Sequence, residues 1–389
     1  MGDVPIEGTC DEGFGAVRAA FEANFDERGD IGAGLCVFVA GRPVVDLWGG
    51  WADAARSQPW QEDTLVNVWS STKGSVAVAV QQLVDRGLVD VDRPVAEYWP
   101  EFAAAGKEAI PVRWLLSHRA GLSGPRETVQ REDFYDWDRI TGLLAAQEPW
   151  WEPGTASGYQ AMVFGHLVGE VIRRVTGQTP GTFIRANIAE PLGIDLHIGL
   201  SDAEIARCAE LVMEPLAADS PMWLAFGQLT GPARAALLNP DMQPPGAIEA
   251  ANSDAWRRAE IPAANGHATA KALATMYAAL ANGGELDGVR IVTPEAVERL
   301  REGQGPCIDL VLGAAAPFEF EWGLGVGLNR LGVFGPNPRA FAHSGYGGSY
   351  GMADPEAGVA VGYVMNHMDN NLLGDPRALA VMGAVYASL

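Results

Sequence analysis

The sequence predicts an α+β fold in which strands from both ends of the chain form one antiparallel sheet. Near the amino end, residues 34–40 (GLCVFVA) and 44–50 (VVDLWGG) are β-prone and are separated by Gly41-Arg42-Pro43, which is typical of a hairpin. β-prone runs return after Gly283-Gly284, at residues 322–331, 339–344, 349–354 and 359–365. The segment between these two regions has mainly helical spacing. We therefore expect a sheet flanked by helices, with a mainly helical insertion.

The helix that begins near Ser71 is the clearest element of the middle segment. Val76, Val80 and Leu83 recur at spacings of three and four residues, and Gly87 is a suitable end. Other helical patterns lie at residues 112–116, 142–147, 164–176, 270–281 and 376–389. This order predicts a discontinuous sheet domain of residues 1–66 and 288–389 and a helical domain of residues 67–287, with the active site between them.

Composition and charge limit the partners of the chain. It has 389 residues, of which 48% are hydrophobic and 20% charged, as in globular proteins large enough for two domains. The formal net charge of -22 disfavours nucleic acid and anionic membrane surfaces, because both repel an acidic protein. A small-molecule substrate fits this charge better. The oligomeric state stays open.

No sequence pattern indicates a metal, a cofactor or an export signal. The segment 1–12 lacks the basic start and apolar core of a signal peptide, and no apolar run approaches the roughly 20 residues of a membrane span. The cysteines are dispersed, which predicts reduced structural thiols, and the histidines lack the spacing of zinc sites. We therefore expect a cytoplasmic protein that needs neither metal nor cofactor.

Ser70-Ser71-Thr72-Lys73 places a serine and a lysine three residues apart where the helical pattern begins. Side chains at this spacing share a helix face, so the Ser70 hydroxyl can contact the Lys73 amine. A serine becomes a nucleophile when an adjacent base takes its proton, and an amine can be that base if burial or a neighbouring cation lowers its pKa. Only three lysines occur in the chain. By itself, however, the motif also fits an ordinary exposed first turn of a helix.

Two downstream segments carry chemistry that suits such a nucleophile. Residues 152–161 (EPGTASGYQA) form a Pro-Gly turn that leads to Tyr159, which we expect to be exposed just before a helix. Residues 343–348 (HSGYGG) belong to a strand edge where small residues let a substrate approach the backbone. With residues 115–122 (LLSHRAGL), these motifs resemble, in order and spacing, the serine β-lactamase and penicillin-binding protein superfamily. The resemblance is closest to class C β-lactamases and family VIII carboxylesterases, and it covers nearly the whole chain.

The resemblance implies a β-lactamase-like fold and a role for each motif residue. Ser70 corresponds to the acylated nucleophile, and Lys73 to its proton acceptor. Tyr159 corresponds to the family tyrosine that relays a proton to the leaving group and helps to activate water, and we expect nearby amines or a helix dipole to lower its pKa. The backbone N–H groups of Ser70 and Tyr346 would form the oxyanion hole.

The chain departs from the β-lactamase pattern at two positions. Ala161 stands where Tyr-x-Asn has asparagine, and His343-Ser344-Gly345 stands where the family has Lys-Thr-Gly. Alanine cannot bond a substrate amide, and a largely neutral histidine offers little charge to a β-lactam carboxylate. We expect these four residues, together with Trp151, to line the substrate site.

The sequence thus predicts a serine carboxylesterase that hydrolyses small or short-chain esters through a covalent acyl-enzyme. A β-lactamase, a D-amino acid peptidase or an acyl transferase could use the same Ser-Lys-Tyr set. A non-catalytic binding protein is disfavoured because the set is intact.

A second serine motif has a different interpretation. Gly347-Gly348-Ser349-Tyr350-Gly351 matches the G-x-S-x-G nucleophile elbow of α/β-hydrolases, but His367 is the one histidine that follows it, and an acid and further strands and helices would have to fit into the remaining chain. We interpret the segment as the glycine-rich turn of a hairpin. His118 is expected to hold a loop by hydrogen bonds.

Overall fold

The structure is a computed structural model that describes residues 4–214, 221–243, 245–314, 319–370 and 374–389. The first three residues of the predicted sheet region therefore lie outside the described part. The strands are β1 (Ile6–Cys10), β2 (Gly32–Val39), β3 (Arg42–Gly50), β4 (Val66–Asn67), β5 (Leu196–His197), β6 (Val212–Met213), β7 (His267–Ala268), β8 (Glu285–Leu286), β9 (Val289–Arg290), β10 (Cys307–Ile308), β11 (Glu319–Phe320), β12 (Gly327–Leu328), β13 (Phe341–Ser344), β14 (Tyr350–Asp354), β15 (Val359–Met365) and β16 (His367–Met368).

The helices are α1 (Gly15–Glu27), α2 (Thr72–Asp85), α3 (Val112–Leu116), α4 (Trp137–Ala146), α5 (Phe164–Thr176), α6 (Pro180–Ile184), α7 (Glu190–Leu192), α8 (Asp202–Ile205), α9 (Pro221–Gln228), α10 (Gly231–Leu237), α11 (Gly246–Ala251), α12 (Asp254–Arg258), α13 (Ala270–Ala281), α14 (Pro294–Leu300) and α15 (Pro376–Ala387). A 3₁₀ turn at Trp69–Ser71 precedes α2. No helix among the described residues is long and apolar enough to cross a membrane.

Seven strands form one antiparallel sheet in the order β1-β3-β2-β15-β14-β13-β12. The two ends of the chain meet where β2 pairs with β15, and Cys36 lies opposite Gly362 there. This arrangement confirms the sheet predicted from both ends of the sequence. The run predicted at 322–331 contributes only the two residues of β12, and the edge strand β1 was not predicted.

The two faces of the sheet are covered by different helices. Gly351 and Gly362 pair across β14 and β15, and a Cβ atom there would lie 2.3 Å from the Tyr277 ring and 2.2 Å from the Ala270 carbonyl oxygen, respectively. These glycines therefore let α13 pack directly on the sheet. Because successive strand residues point to opposite faces, Tyr363 faces the other side, where α1 and α15 pack together.

Helix α2 forms the centre of the helical region. Its residues from Thr72 to Leu83 are all buried, and it packs against α5, α14 and strand β13. This contact places the amino end of α2 beside the sheet edge, where a site between the sheet and the helices is expected. Helix α13 packs on the sheet although it lies within residues 67–287. The domain division at residues 66/67 and 287/288 stays a prediction.

Candidate active site

Ser70 and Lys73 meet at the amino end of α2. The Lys73 Nζ atom lies 3.0 Å from Ser70 Oγ, 2.9 Å from the Ala161 carbonyl oxygen and 2.8 Å from the Ala263 carbonyl oxygen. Lys73 is fully buried, and this burial holds the pKa of its amine well below the ordinary value. From the sequence, either burial or a neighbouring cation could lower the pKa of this amine. In the structure, the cause is burial.

The three partners of Lys73 match the bonding capacity of a neutral amine. A neutral amine has two N–H donors and one lone pair. The carbonyl oxygens of Ala161 and Ala263 can accept the two N–H groups, which leaves the lone pair directed at the Ser70 hydroxyl. When the amine is protonated, its third N–H can be donated to Ser70 Oγ. The arrangement therefore accommodates the lysine before and after it takes a proton.

Tyr159 lies against the same serine, but in surroundings that differ from those predicted. Its side chain is buried, with 8% of the residue exposed, and its hydroxyl lies beside Ser70, a contact that by itself lowers the pKa of the phenol. The ring stacks on Trp322, with centroids 5.4 Å apart and an interplanar angle of 12°. Burial raises the pKa of Tyr159, and the carboxylate of Asp309 raises it further. The predictions of an exposed tyrosine and a lowered pKa were wrong, because aromatic rings cover the phenol and the Asp309 charge disfavours the phenolate.

Asp309 fixes the loop that carries Tyr159. Its Oδ1 atom accepts hydrogen bonds from the backbone N–H groups of Tyr159, Val311 and Leu312, at 2.9, 2.9 and 3.0 Å. Its Oδ2 atom accepts a hydrogen bond from the Ser157 hydroxyl at 3.0 Å. Sequence reasoning missed this residue, because a single buried aspartate has no motif of its own.

His118 holds the other side of the Tyr159 loop, as predicted. The backbone N–H of Gly158 donates to the His118 carbonyl oxygen at 2.9 Å, and that of Gln160 donates to His118 Nδ1 at 3.3 Å. The imidazole also lies edge-on to the Tyr159 ring, with centroids 4.9 Å apart. Asp309 and His118 together leave the tyrosine little freedom to move.

A cavity opens above Ser70. It brings together most of the predicted site residues, namely Ser70, Tyr159, Ala161, His343, Ser344, Gly345 and Tyr346. The rest of its lining is apolar: Trp69, Met162, Phe226, Ala236, Leu237, Met242, Ala264, Leu312 and Trp322. A site of this kind favours a ligand with apolar groups.

Trp151 does not line this cavity. Its indole N–H donates to the Ala156 carbonyl oxygen at 3.0 Å, and its ring occupies the space beside Gly158, where a Cβ atom would lie 2.4 Å from it. The residue therefore packs under the loop that leads to Tyr159. The prediction that Trp151 lines the substrate site was therefore wrong, and the residue supports this loop instead.

His343 presents a neutral ring to the cavity. Its Nδ1 atom lies 2.9 Å from the Ser344 carbonyl oxygen and must donate to it, so the Nε2 atom is unprotonated in the neutral ring. Burial, together with the charge that Lys73 carries when it is protonated, lowers the pKa of His343 to about 3. The strand motif thus offers no positive charge near neutral pH, in agreement with the sequence prediction of a largely neutral histidine.

The backbone N–H groups of Ser70 and Tyr346 are available as donors. Both residues line the cavity. Within the described ranges of the chain, no group accepts a hydrogen bond from either N–H. The ring of Tyr346 also packs edge-on against Trp69, the residue before the serine, with centroids 5.9 Å apart.

Ser349 occupies the turn of a hairpin, as predicted, and not a nucleophile elbow. It lies between β13 and β14, where an elbow would need a strand followed by a helix. Only 1% of the residue is exposed, and its hydroxyl donates to the Val68 carbonyl oxygen at 2.8 Å. Ser349 is not among the residues that line the cavity above Ser70.

A family profile, a related sequence and two solved structures all indicate the same protein family. The sequence profile of the Beta-lactamase family matches residues 17–385. The chain is 40% identical over 367 residues to Esterase/beta-lactamase LipL of Mycobacterium tuberculosis (strain ATCC 25618 / H37Rv), across 93% of this chain and 83% of that protein. The solved structure of a family VIII carboxylesterase is 44% identical, with a TM-score of 0.92 across 99% of this chain and 100% of the other. A penicillin-binding protein homologue from Caulobacter crescentus is also 44% identical, with a TM-score of 0.90 across 99% of this chain and 100% of the other. The chain therefore belongs to the beta-lactamase family of serine hydrolases.

Proposed function

We propose that this protein is a serine carboxylesterase that hydrolyses small or short-chain esters through an acyl-enzyme at Ser70. The observation that carries the proposal is the buried Lys73 amine, 3.0 Å from Ser70 Oγ at the floor of a mainly apolar cavity. The names of the similar proteins, an esterase/beta-lactamase and a family VIII carboxylesterase, support the same chemistry.

Acylation begins when Ser70 Oγ attacks the ester carbonyl carbon and its proton passes to the neutral Lys73 amine. The carbonyl oxygen becomes negatively charged and accepts hydrogen bonds from the backbone N–H groups of Ser70 and Tyr346. The bond to the alkoxy group then breaks, and the departing oxygen takes a proton through the Tyr159 hydroxyl. Because the raised pKa keeps this phenol protonated, Tyr159 acts as a relay between Lys73 and the leaving group, and Lys73 is the base.

Deacylation uses the same groups in the reverse sense. A water molecule in the leaving-group position loses a proton through Tyr159 to Lys73 as its oxygen attacks the acyl carbon. The second tetrahedral oxyanion is bound as the first was. The bond from the acyl carbon to Ser70 Oγ breaks, the serine recovers the proton from Lys73, and the carboxylic acid leaves.

The residues that line the site favour an ester substrate over a β-lactam substrate. Ala161 offers no side-chain bond to a substrate amide, and His343 offers no charge to a carboxylate. Phe226, Leu237 and Met242 supply apolar contacts instead. A site without those polar groups gains no discrimination in favour of substrates that carry them.

A panel of p-nitrophenyl esters of increasing chain length, assayed beside a chromogenic cephalosporin, tests the proposal. We expect short esters to be turned over far better than the cephalosporin, and Ser70→Ala to abolish that turnover. Cephalosporin turnover comparable to that of p-nitrophenyl acetate would overturn the esterase proposal in favour of a β-lactamase.

A further inference from the structure

The buried serine of the G-x-S-x-G segment takes no part in the proposed chemistry, yet it lies between the two turns that carry the oxyanion donors. The nucleophile turn, residues 68–71, presents the N–H of Ser70. The β13–β14 turn, residues 345–349, presents the N–H of Tyr346. Ser349 ends the second turn and contacts the first.

The hydrogen bonds of Ser349 have one consistent assignment. Its hydroxyl has a single hydrogen, which goes to the Val68 carbonyl oxygen at 2.8 Å. The Ser71 hydroxyl, 3.1 Å away, must therefore donate to Ser349 Oγ. Val68 and Ser71 are the two ends of the nucleophile turn. One side chain thus holds both ends of the turn that contains Ser70.

Ser349 also holds the β13–β14 turn together. Its carbonyl oxygen accepts the backbone N–H of Gly345 at 2.7 Å, which closes the turn around Tyr346. On the far side, Arg377 donates to the Gly347 carbonyl oxygen at 2.7 Å, so that side is fixed to α15. Within the described part of the chain, no hydrogen bond other than those of Ser349 joins the two turns.

The two turns are in direct backbone contact. A Cβ atom at Gly345 would lie 2.2 Å from the Val68 carbonyl oxygen and 2.3 Å from Ser349 Oγ. The packing therefore leaves no room for a side chain at this position. Small movements of Ser349 would be transmitted to both turns, and through them to the Ser70 and Tyr346 peptides.

We infer that Ser349 is a positioning residue, which fixes the distance and angle between the N–H groups of Ser70 and Tyr346 so that both point at one oxyanion. The inference rests on the proposed oxyanion hole. Loss of a whole oxyanion donor lowers kcat by about 10²- to 10³-fold. Misalignment of two retained donors should cost less, on the order of 10- to 100-fold.

The test compares Ser349→Ala with Ser75→Ala. Ser75 is a matched control, because it is also 1% exposed and its hydroxyl also donates to a backbone carbonyl, that of Thr72 at 2.7 Å within α2. Both variants are assayed for melting temperature, for kcat and KM on p-nitrophenyl acetate, and for the rate at which a fluorophosphonate labels Ser70. The labelling forms a tetrahedral phosphorus adduct and requires no ester turnover.

We expect Ser349→Ala to lower kcat and the labelling rate in parallel by about 10- to 100-fold, with KM changed less than about threefold. Ser75→Ala should keep kcat and the labelling rate within about threefold of the wild type.

If Ser349→Ala fails to fold, Ser71→Ala is used in its place. This variant removes one of the two hydrogen bonds, so it should lower both rates by a smaller factor. The inference would be overturned if Ser349→Ala and Ser75→Ala had equal kcat values and equal labelling rates, each calculated per Ser70 that can be labelled. If the fluorophosphonate labels Ser70 of the wild type but no ester is hydrolysed, the proposed function fails. The labelling rates of the two variants still test the role of Ser349 in that case.

Discussion

The Nζ atom of Lys73 lies 3.0 Å from Ser70 Oγ, and its other two partners are backbone carbonyl oxygens. No carboxylate is among these partners. A buried amine that bonds neutral acceptors gains little from carrying a charge and loses solvation by doing so, which is why burial lowers its pKa. The pair is therefore arranged for proton transfer.

Lys73→Arg should abolish turnover in a folded protein. Arginine keeps the charge and nearly the reach of lysine, but its pKa is far too high for it to lose a proton. We expect kcat to fall by at least about 100-fold. Lys107→Arg is the control, because Lys107 is also fully buried and also donates to two backbone carbonyls, those of Ala104 and Gln147. Turnover by Lys73→Arg above about a tenth of the wild-type value would favour a charge-only role.

The pH dependence of kcat/KM should have an acid limb that belongs to Lys73. Activity requires the neutral amine, so it is lost as the pH falls through the lowered pKa of Lys73. His343, with a pKa of about 3, is neutral at the pH values of the assay, and burial also lowers the pKa of His118 well below its usual range. Tyr159 stays protonated on the alkaline side, because its pKa is raised.

This assignment is tested by measuring kcat/KM of the wild type and of His343→Asn from about pH 5 to about pH 9. We expect the midpoint of the acid limb to be the same in both proteins, because an already neutral ring is removed. Disappearance of the limb in the variant would assign it to His343.

Tyr159→Phe should lower kcat by about 100-fold or more, with little change in KM. The phenyl ring keeps the stack on Trp322, so only the hydroxyl next to Ser70 is lost. Tyr350→Phe is the matched control, since the Tyr350 hydroxyl is buried and has no hydrogen-bond partner among the described residues. Similar kcat values for the two variants would exclude Tyr159 from proton transfer.

Local patterns were the part of this protein that the sequence predicted well. The Ser70-Lys73 spacing and the β15 run depend on neighbouring residues, and both were correctly placed. Ala263 and Asp309 could not be predicted, because they lie 190 and 150 residues from Lys73 and Tyr159 in sequence. Ala263 acts through a backbone carbonyl, which any residue would supply.

The positions of Tyr159 and Trp151 were predicted wrongly for physical reasons. Tyr159 follows a Pro-Gly turn, and such turns are usually exposed, but here Trp322 covers the ring. Trp151 lies near the motif in sequence but packs under its loop. The apolar wall around Phe226 and Leu237 comes from a distant segment without a motif of its own.

Restoring the β-lactamase residues should restore some β-lactam turnover. Ala161→Asn with His343→Lys returns an amide and a cation to the lining of the cavity. We expect kcat/KM for a cephalosporin to rise at least about tenfold, equivalent to about 1.4 kcal/mol. Short-ester turnover should stay level or fall, because a new cation near Lys73 would lower the pKa of that amine further and make it a weaker base for the Ser70 proton. An unchanged cephalosporin rate would show that these two positions do not determine the preference.

The decisive measurement is to identify the residue that is acylated during turnover. The enzyme is quenched during turnover of a slow ester, and intact-protein and peptide mass spectrometry locate the acyl group. We expect one acyl group, carried by Ser70, in the wild type and none in Ser70→Ala. An acyl group on Ser349, or ester hydrolysis by Ser70→Ala at the wild-type rate, would contradict this expectation.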